Sequence, residues 1–406
     1  MKIGEFSQIN NITKDTVRHY IDMGLLVPDK QGAQYEFDES CQKSLDEILA
    51  LKNMGFSLNQ IKDILLFKTF GNLTAHQEDQ YYEMLFSNQL AIVKKQLEDL
   101  TAVSQNLEQR LAELKKKPCT KAHNIGIPLD TLDLFACPIC KQKLTVADAS
   151  IKDNQIIDGV LKCSLSHEYH IEDGILMGPG YIDADSRFKQ ENTYIADYIK
   201  FTDTSYLESI YKNIEWMKKR LDFQNLEGKV ILELGTGVGF SLRNIYDLLP
   251  DDSVYLAVDY DINRHKFLKS MLETSELKKK IIFLCCDFLS MPIGEKLVDI
   301  VFDFSGSSNF GFEHEEFLLS KIDHHVKQNA YLNGSYILFK NFSANSMIED
   351  KYKPNFLLDN IRFSIDDLGF KTIEDKFSDY LEHGGKYEDY FVKGEKVYSY
   401  LYYGKR

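Results

Sequence analysis

Positive charge is scarce in this chain: 48 Lys plus Arg stand against 62 Asp plus Glu, a formal net charge of −14 over 406 residues. A protein of that sign does not coat nucleic acid through bulk electrostatics, so any nucleic-acid contact has to be local. No apolar run of about 18 residues occurs, and the opening MKIGEFSQIN lacks the basic start and apolar core of a secretory signal. No membrane partner is therefore expected, and the cytoplasm is the expected location. Seven cysteines cannot all pair, which fits reduced thiols and a metal better than a disulfide framework. Low-complexity segments and internal repeats are absent. What is present is apolar substance: 44% of residues are hydrophobic and 12% aromatic, enough for a sizeable core. At roughly 150 residues per domain, the length allows two or three domains.

The character of the chain changes along its length. Up to about residue 70, short helical patterns carry good caps: Thr13 before KDTVRHYIDM, Asp38 before ESCQKSLDEILALKNM, and Ser57 with Gln60 as a capping box. Between them, VPDKQGAQYEF has Pro28 and Gly32 among extended and aromatic residues, which predicts a hairpin wing. From His76 to Lys117 the glycine and proline punctuation stops. Leu90, Val93, Leu97, Leu100, Leu107, Leu111 and Leu114 recur there at 3,4,3,7,4,3 spacing, with Ser104 as the missing step. At about 1.5 Å per residue this predicts a helix roughly 60 Å long, too long for the small preceding domain to cover and suited to pairing with a second copy. After Pro118 come short β-like runs rich in Cys, His and Gly. From about residue 228, VILELG, VYLAVDY, IIFLCCD, DIVFDF and YILFKNF read as buried parallel strands alternating with helices, and KVYSYLYYGKR is expected to add an edge.

The first 29 residues place a helix containing Ile3 and Phe6, a turn at Asn10–Asn11 and a second helix from Lys14 to Met23. That is the spacing of a helix-turn-helix, whose second helix offers side chains to the major groove. The run T-V-R-H-Y-I-D-M-G-L-L-V-P resembles the MerR family of transcriptional regulators, as do LKNMGFSLNQIKDIL and the long helix, so the resemblance spans residues 1–117. It implies an antiparallel homodimer on double-stranded promoter DNA with an inverted repeat. Lys14, Thr16, Arg18, His19 and Tyr20 would lie on or beside the recognition helix, and Lys30 and Tyr35 on the wing. Glu36 replaces an Arg common in the family, and residues 1–70 hold eight bases against ten acids, so phosphate affinity is expected to be modest.

Cys137-Pro-Ile-Cys140 and Cys163-Ser-Leu-Ser-His167 supply three thiolates and an imidazole from two short knuckles, a donor set for tetrahedral Zn²⁺. His170 competes for the fourth position, and Cys119 with His123 is a weaker pairing. Further on, the strand VILELG runs into Gly235-Thr236-Gly237-Val238-Gly239, where glycines let a ligand approach the backbone at a sheet's carboxyl edge. Asp259, twenty residues on, suits ribose hydroxyls with Tyr260 beside it. Asp287 and Phe288 at the next strand end suit an adenine amine and its ring. A dinucleotide dehydrogenase would need G-x-G-x-x-G, but position 240 is Phe.

The order of these residues resembles the class I S-adenosylmethionine-dependent methyltransferases, whose E-x-G-x-G-x-G matches Glu233, Gly235, Gly237 and Gly239. The paired knuckles, the G-I-L run and ADSRF at 184–188 make residues 132–406 similar to ribosomal RNA guanine-N1 methyltransferases with a zinc ribbon, although the gap from Cys140 to Cys163 is longer than theirs. No N-P-P-Y follows the fourth strand; its DFSGSSNF names no acceptor, leaving Asp303, Ser305, Asn309 and Phe310 as acceptor-side candidates and Tyr194 with Trp216 as an aromatic lid. The expected fold class is multi-domain: an all-α winged helix-turn-helix (1–75), a dimerising coiled-coil helix (76–117), a small zinc ribbon (118–182) and an α/β doubly wound, Rossmann-like methyltransferase domain (183–406). The function expected is a MerR-type regulator whose methyltransferase domain binds S-adenosylmethionine and modifies a small molecule or RNA. The alternative is a non-catalytic sensor that keeps the fold only as an effector pocket.

Overall fold

A computed structural model of the chain describes residues 1–406 except 33, 72–73, 117–122, 184–193 and 305. Cys119, Ser305 and the ADSRF segment thus lie outside the described residues. The chain forms two compact units, Met1–Cys119 and Thr120–Arg406.

In the first unit, α1 (Ile3–Ile9) and α2 (Lys14–Asp22) pack through Phe6, Val17 and Tyr20. The Thr13 hydroxyl accepts the Thr16 N–H at 3.0 Å and starts α2. The antiparallel wing β1 (Asp29–Gln31) and β2 (Gln34–Glu36) precedes α3 (Glu39–Asn53), capped by Asp38 accepting from the Cys41 N–H. The box at Ser57 and Gln60 opens α4 (Leu58–Gly71), and a second box at Thr74 and Gln77 opens α5 (Ala75–Lys116). The first turns of α5 are tied down by the Tyr82 hydroxyl donating to Glu47 and by Phe86 against Phe56. The rest of α5 leaves its leucine seam uncovered within this unit: Leu97, Leu100 and Leu107 are 61–67% exposed.

The second unit begins with β3 (Ile127–Pro128), β4 (Thr145–Lys152), β5 (Gln155–Lys162), β6 (Glu168–Glu172) and β7 (Ile175–Met177). Helices α6 (Tyr194–Phe201) and α7 (Thr204–Lys218) lead into β8 (Val230–Leu234), α8 (Phe240–Ile245), β9 (Val254–Asp259), α9 (Ile262–Leu272), β10 (Lys280–Cys285) and β11 (Val298–Asp303). Short α10 (Gly306–Phe310) and α11 (Leu318–Ile322) precede β12 (Val326–Asn341), α12 (Leu358–Asp367), β13 (Lys371–Phe377) and β14 (Lys396–Lys405). The sheet order is β13-β14-β12-β11-β8-β9-β10-β7-β6-β5-β3, with β4 on the other side of β5. Strands β12, β11, β8, β9 and β10 are parallel, and β14 runs antiparallel between β12 and β13.

Two departures from expectation have physical reasons. KVYSYLYYGKR, expected at an edge, is inserted one strand in, because Tyr400, Leu401 and Tyr402 are buried and need cover; β13, whose residues are mostly exposed, takes the edge. The ribbon strands are not a free-standing module, since β7 pairs in parallel with β10 and continues the sheet. Ribbon residues Ile127, Phe135 and Leu144 share one apolar cluster with Leu232 and Leu256 of the central strands. Period-two alternation sends Leu232 and Leu234 to that face and Ile231 to the other. Because β8 is followed on one side by β9 and flanked on the other by β11, its carboxyl end is the switch point where such sheets open a crevice.

Candidate functional site

The carboxyl end of β8 runs straight into the glycine loop. Gly235, Gly237 and Gly239 have φ of 72°, 55° and 76°, a region that side chains rarely adopt. At Gly239 a Cβ would also stand 2.3 Å from Leu268 of α9, so glycine lets the loop and that helix close together. Asp259 braces the loop from the next strand: its carboxylate, 2% exposed, accepts the Gly237 N–H and the Asp261 N–H, each at 3.0 Å, and Arg264 lies 3.6 Å away. A carboxylate with two further lone-pair sites can still accept from a ligand. Asp287 at the end of β10 is exposed, with one oxygen taken by the Leu289 N–H at 2.7 Å. Phe288 is half-buried beside Gly235, and Tyr260 is 41% exposed with the Arg264 guanidinium over its ring. Under the loop, Glu233 and Thr236 are buried, and burial pushes the Glu233 carboxyl up to about 7.

Sequence reasoning missed His265. It is fully buried in α9, and its Nε2 lies 3.1 Å from the carbonyl oxygens of both Asp259 and Leu284, tying together the carboxyl ends of β9 and β10.

On the acceptor side the candidates separate. Asp303 is completely buried; it accepts the Ser307 N–H at 2.8 Å at the start of α10, and burial pushes it up to about 6. Phe310 is 8% exposed, stacked on His314, and belongs to the core. Trp216 is 5% exposed with Arg220 over its ring, so it is packing and not a lid. Asn309 is exposed. Tyr194 does lie by the loop, sharing a cluster with Val238 and Phe240.

The knuckles bring Cys137, Cys140, Cys163 and His167 together, with ligand atoms all within 4.8 Å of one another. Cys140 Sγ is 3.5 Å from Cys163 Sγ, and His167 Nδ1 is 3.4 Å from both Cys137 Sγ and Cys163 Sγ. Left-handed turns at Lys141 and Ser166 fold the knuckles, and the Cys140 and His167 N–H groups point at Cys137 and Cys163 sulfurs. His170, exposed on β6, stands outside this cluster.

On the first unit Lys14, Arg18, His19 and Lys30 are exposed, and Thr16 and Tyr35 half-buried. Arg18 pairs with Asp15 at 2.9 Å, an exposed contact of little strength. Lys30 and Tyr35 are cross-strand partners on the wing, with the ammonium 5.7 Å from the ring. Tyr20 differs from its expected role: at 1% exposure it is a core residue, because its position on α2 faces α1.

A winged helix-turn-helix in the first unit and a methyltransferase fold in the second are the classes this geometry defines. Residues 1–68 match the model for MerR HTH family regulatory proteins. A search of curated proteins finds no match. Among solved structures, the chain is similar to an S-adenosylmethionine-dependent methyltransferase from Aquifex aeolicus, at 18% identity over 51% of this chain and 97% of that one, with a TM-score of 0.34. It is also similar to a cyclopropane synthase from Mycobacterium tuberculosis (11% identity, 55% of this chain and 100% of that one, TM-score 0.37). An arsenic(III) S-adenosylmethionine methyltransferase from Chlamydomonas reinhardtii gives 13% identity over 48% of this chain and 72% of that one, with a TM-score of 0.35. The methyltransferase fold is defined by the strand order with its inserted antiparallel β14. None of these matches shows the narrower likeness to the ribosomal RNA guanine-N1 methyltransferases.

Proposed function

We propose that this chain is a DNA-binding transcription regulator whose second unit binds S-adenosylmethionine and methylates a small molecule or RNA. The observation that carries the reading is the glycine loop at the switch point, braced by Asp259 and flanked by an exposed Asp287. Gly235, Thr236, Gly237 and Gly239 would let the backbone close on the donor, with Glu233 beneath. Asp259 and Tyr260 would meet the ribose, and Asp287 with Phe288 the adenine. S-adenosylmethionine supplies an activated methyl group when bound. The protein's share of the work is to bind, orient and dry the reacting pair, which needs no strong catalytic base.

Cys137, Cys140, Cys163 and His167 would hold a structural Zn²⁺. Tetrahedral Zn–S bonds of about 2.3 Å place sulfurs roughly 3.8 Å apart, near the spacing of these ligands. The exposed leucine seam of α5 supports a homodimer, since apolar side chains repeating every third and fourth residue want a partner helix. Two recognition helices would then enter successive major grooves of an inverted repeat, with Lys14, Thr16, Arg18, His19, Lys30 and Tyr35 on the DNA side.

The test is a paired assay on the purified full chain: transfer of labelled methyl from S-adenosylmethionine to cell extract, and band shift of its own promoter fragment at low salt. Transfer together with a dimeric shift is the expected result. DNA affinity that changes with S-adenosylmethionine by roughly 1–3 kcal/mol, with no product in any extract, would replace catalysis by sensing.

A further inference from the structure

A short strap ties the ribbon to the strand ends that carry Asp259 and Asp287. Residues 178–183 follow β7 directly and cross the carboxyl ends of β10 and β9. The Gly178 N–H donates to the Cys285 carbonyl at 2.9 Å, and the Pro179 carbonyl accepts the Asp287 N–H at 2.9 Å. Further on, the Ile182 N–H donates to the Tyr260 carbonyl at 2.8 Å, and the Ile182 carbonyl accepts the Ile262 N–H at 3.1 Å. The Asp183 carboxylate accepts from the Asn263 side chain at 2.7 Å near the start of α9.

Apolar burial does not account for this path. Gly178 is buried, but Pro179, Gly180, Tyr181, Ile182 and Asp183 are exposed, Tyr181 by 48% and Ile182 by 39%. The strap is held mainly by its backbone, at the two strand ends. Glycine lets it come close. Gly180 has a φ of 79°, and a Cβ there would stand 2.8 Å from the Asp287 Cβ and 3.5 Å from the Asp287 nitrogen. At Gly178 a Cβ would stand 2.6 Å from the Cys286 Cβ. A larger residue at either position would push the strap off the end of β10. Asp287 is thus fixed twice, its N–H by Pro179 and one carboxylate oxygen by the Leu289 N–H at 2.7 Å. The second oxygen has no partner among the described residues, and the residue is exposed.

We infer that Pro179 and Gly180 are positioning residues for the donor: by fixing the Asp287 backbone they set its open carboxylate oxygen to accept from the exocyclic amine of adenine, which makes the site selective for that base. This rests on the methyltransferase reading above. An amine donates to a carboxylate, whereas a base with a keto oxygen in that place presents a second acceptor and is repelled.

The test reads base preference, which a merely structural role would not move. The full chain is titrated calorimetrically with S-adenosylhomocysteine and with S-inosylhomocysteine, in which a keto oxygen replaces the amine. The adenine compound should bind about tenfold more tightly or better, and Asp287→Ala should erase that preference. Gly180→Ala, with Asp287 still in place, should lose most of the preference while zinc content stays as in the wild type. Ile182→Pro, at an exposed position, removes the N–H that holds the strap to Tyr260; it should lower the preference severalfold and serves if Gly180→Ala does not fold. Equal binding of the two compounds by the wild type, a preference that survives Asp287→Ala, or a folded strap variant that weakens both compounds alike or neither overturns the inference with the methyltransferase reading intact. No binding of S-adenosylhomocysteine to the wild type overturns that reading and this one with it.

Discussion

The ribbon end and the switch point belong to one sheet but treat their polar groups in opposite ways. In the ribbon, three sulfurs and an imidazole converge on each other, and backbone N–H groups support the sulfurs, a closed arrangement with no position left for a substrate. At the switch point the groups brace a loop: Asp259 holds Gly237 and Asp261, while Asp287 and Tyr260 still face solvent. Closure of the first kind stabilises a fold, and openness of the second kind leaves room for a ligand. Because β7 joins β10 and both regions share an apolar cluster, the closed site supports the sheet that carries the open one.

If Cys137, Cys140, Cys163 and His167 hold zinc as proposed, removing it should sharpen this contrast most. Cys163→Ser, or chelation, should destabilise the second unit by on the order of 5 kcal/mol, since metal-binding energy in such knuckles is folding energy. Thermal unfolding with zinc analysis checks it, and loss confined to residues 127–177 by hydrogen exchange would break the link between the two regions.

The next effect concerns Glu233, whose folded pKa of about 7 lies above its ordinary value of 4.5. A raised carboxyl favours the protonated fold, so the stability it contributes is complete below about pH 4.5 and is lost as pH rises through about 7. At about 1.4 kcal/mol per unit the loss is about 3 kcal/mol, and Glu233→Gln should flatten that part of the stability curve in denaturant titrations at pH 5 and 8.

Asp259→Ala removes both a charged acceptor and the brace of the loop, and should weaken S-adenosylmethionine by about 1.5–3 kcal/mol with little change in zinc content. Calorimetry on the variant would place the donor elsewhere if affinity were unchanged. Smallest is Arg18→Ala on the first unit, expected to cost about 1 kcal/mol of DNA affinity, because its pairing with Asp15 already competes for the guanidinium. Band shifts across salt concentrations distinguish a lost phosphate contact, which lowers the salt slope, from a lost base contact, which changes sequence preference.

What the sequence revealed follows from how local each signal is. Caps at Thr13, Asp38 and Ser57, the wing and the parallel strands all depend on neighbouring residues, and the structure has them. The knuckles and the glycine loop were legible for the same reason. Burial was harder to read. Asp303 and Phe310 stand at or just after the end of β11 and Trp216 on α7, yet all three are buried. Tyr198 and Glu388 meet from positions 190 residues apart, and no spacing rule reaches that far. The only hint was the density of tyrosines in the last 30 residues.

The central claim is that the switch point is a working S-adenosylmethionine site. Its most direct test is calorimetric titration of S-adenosylmethionine into the zinc-loaded full chain. Saturable binding at one site per chain, weakened at least tenfold in Asp259→Ala, is the predicted result; no heat of binding by the folded, zinc-loaded protein would contradict it.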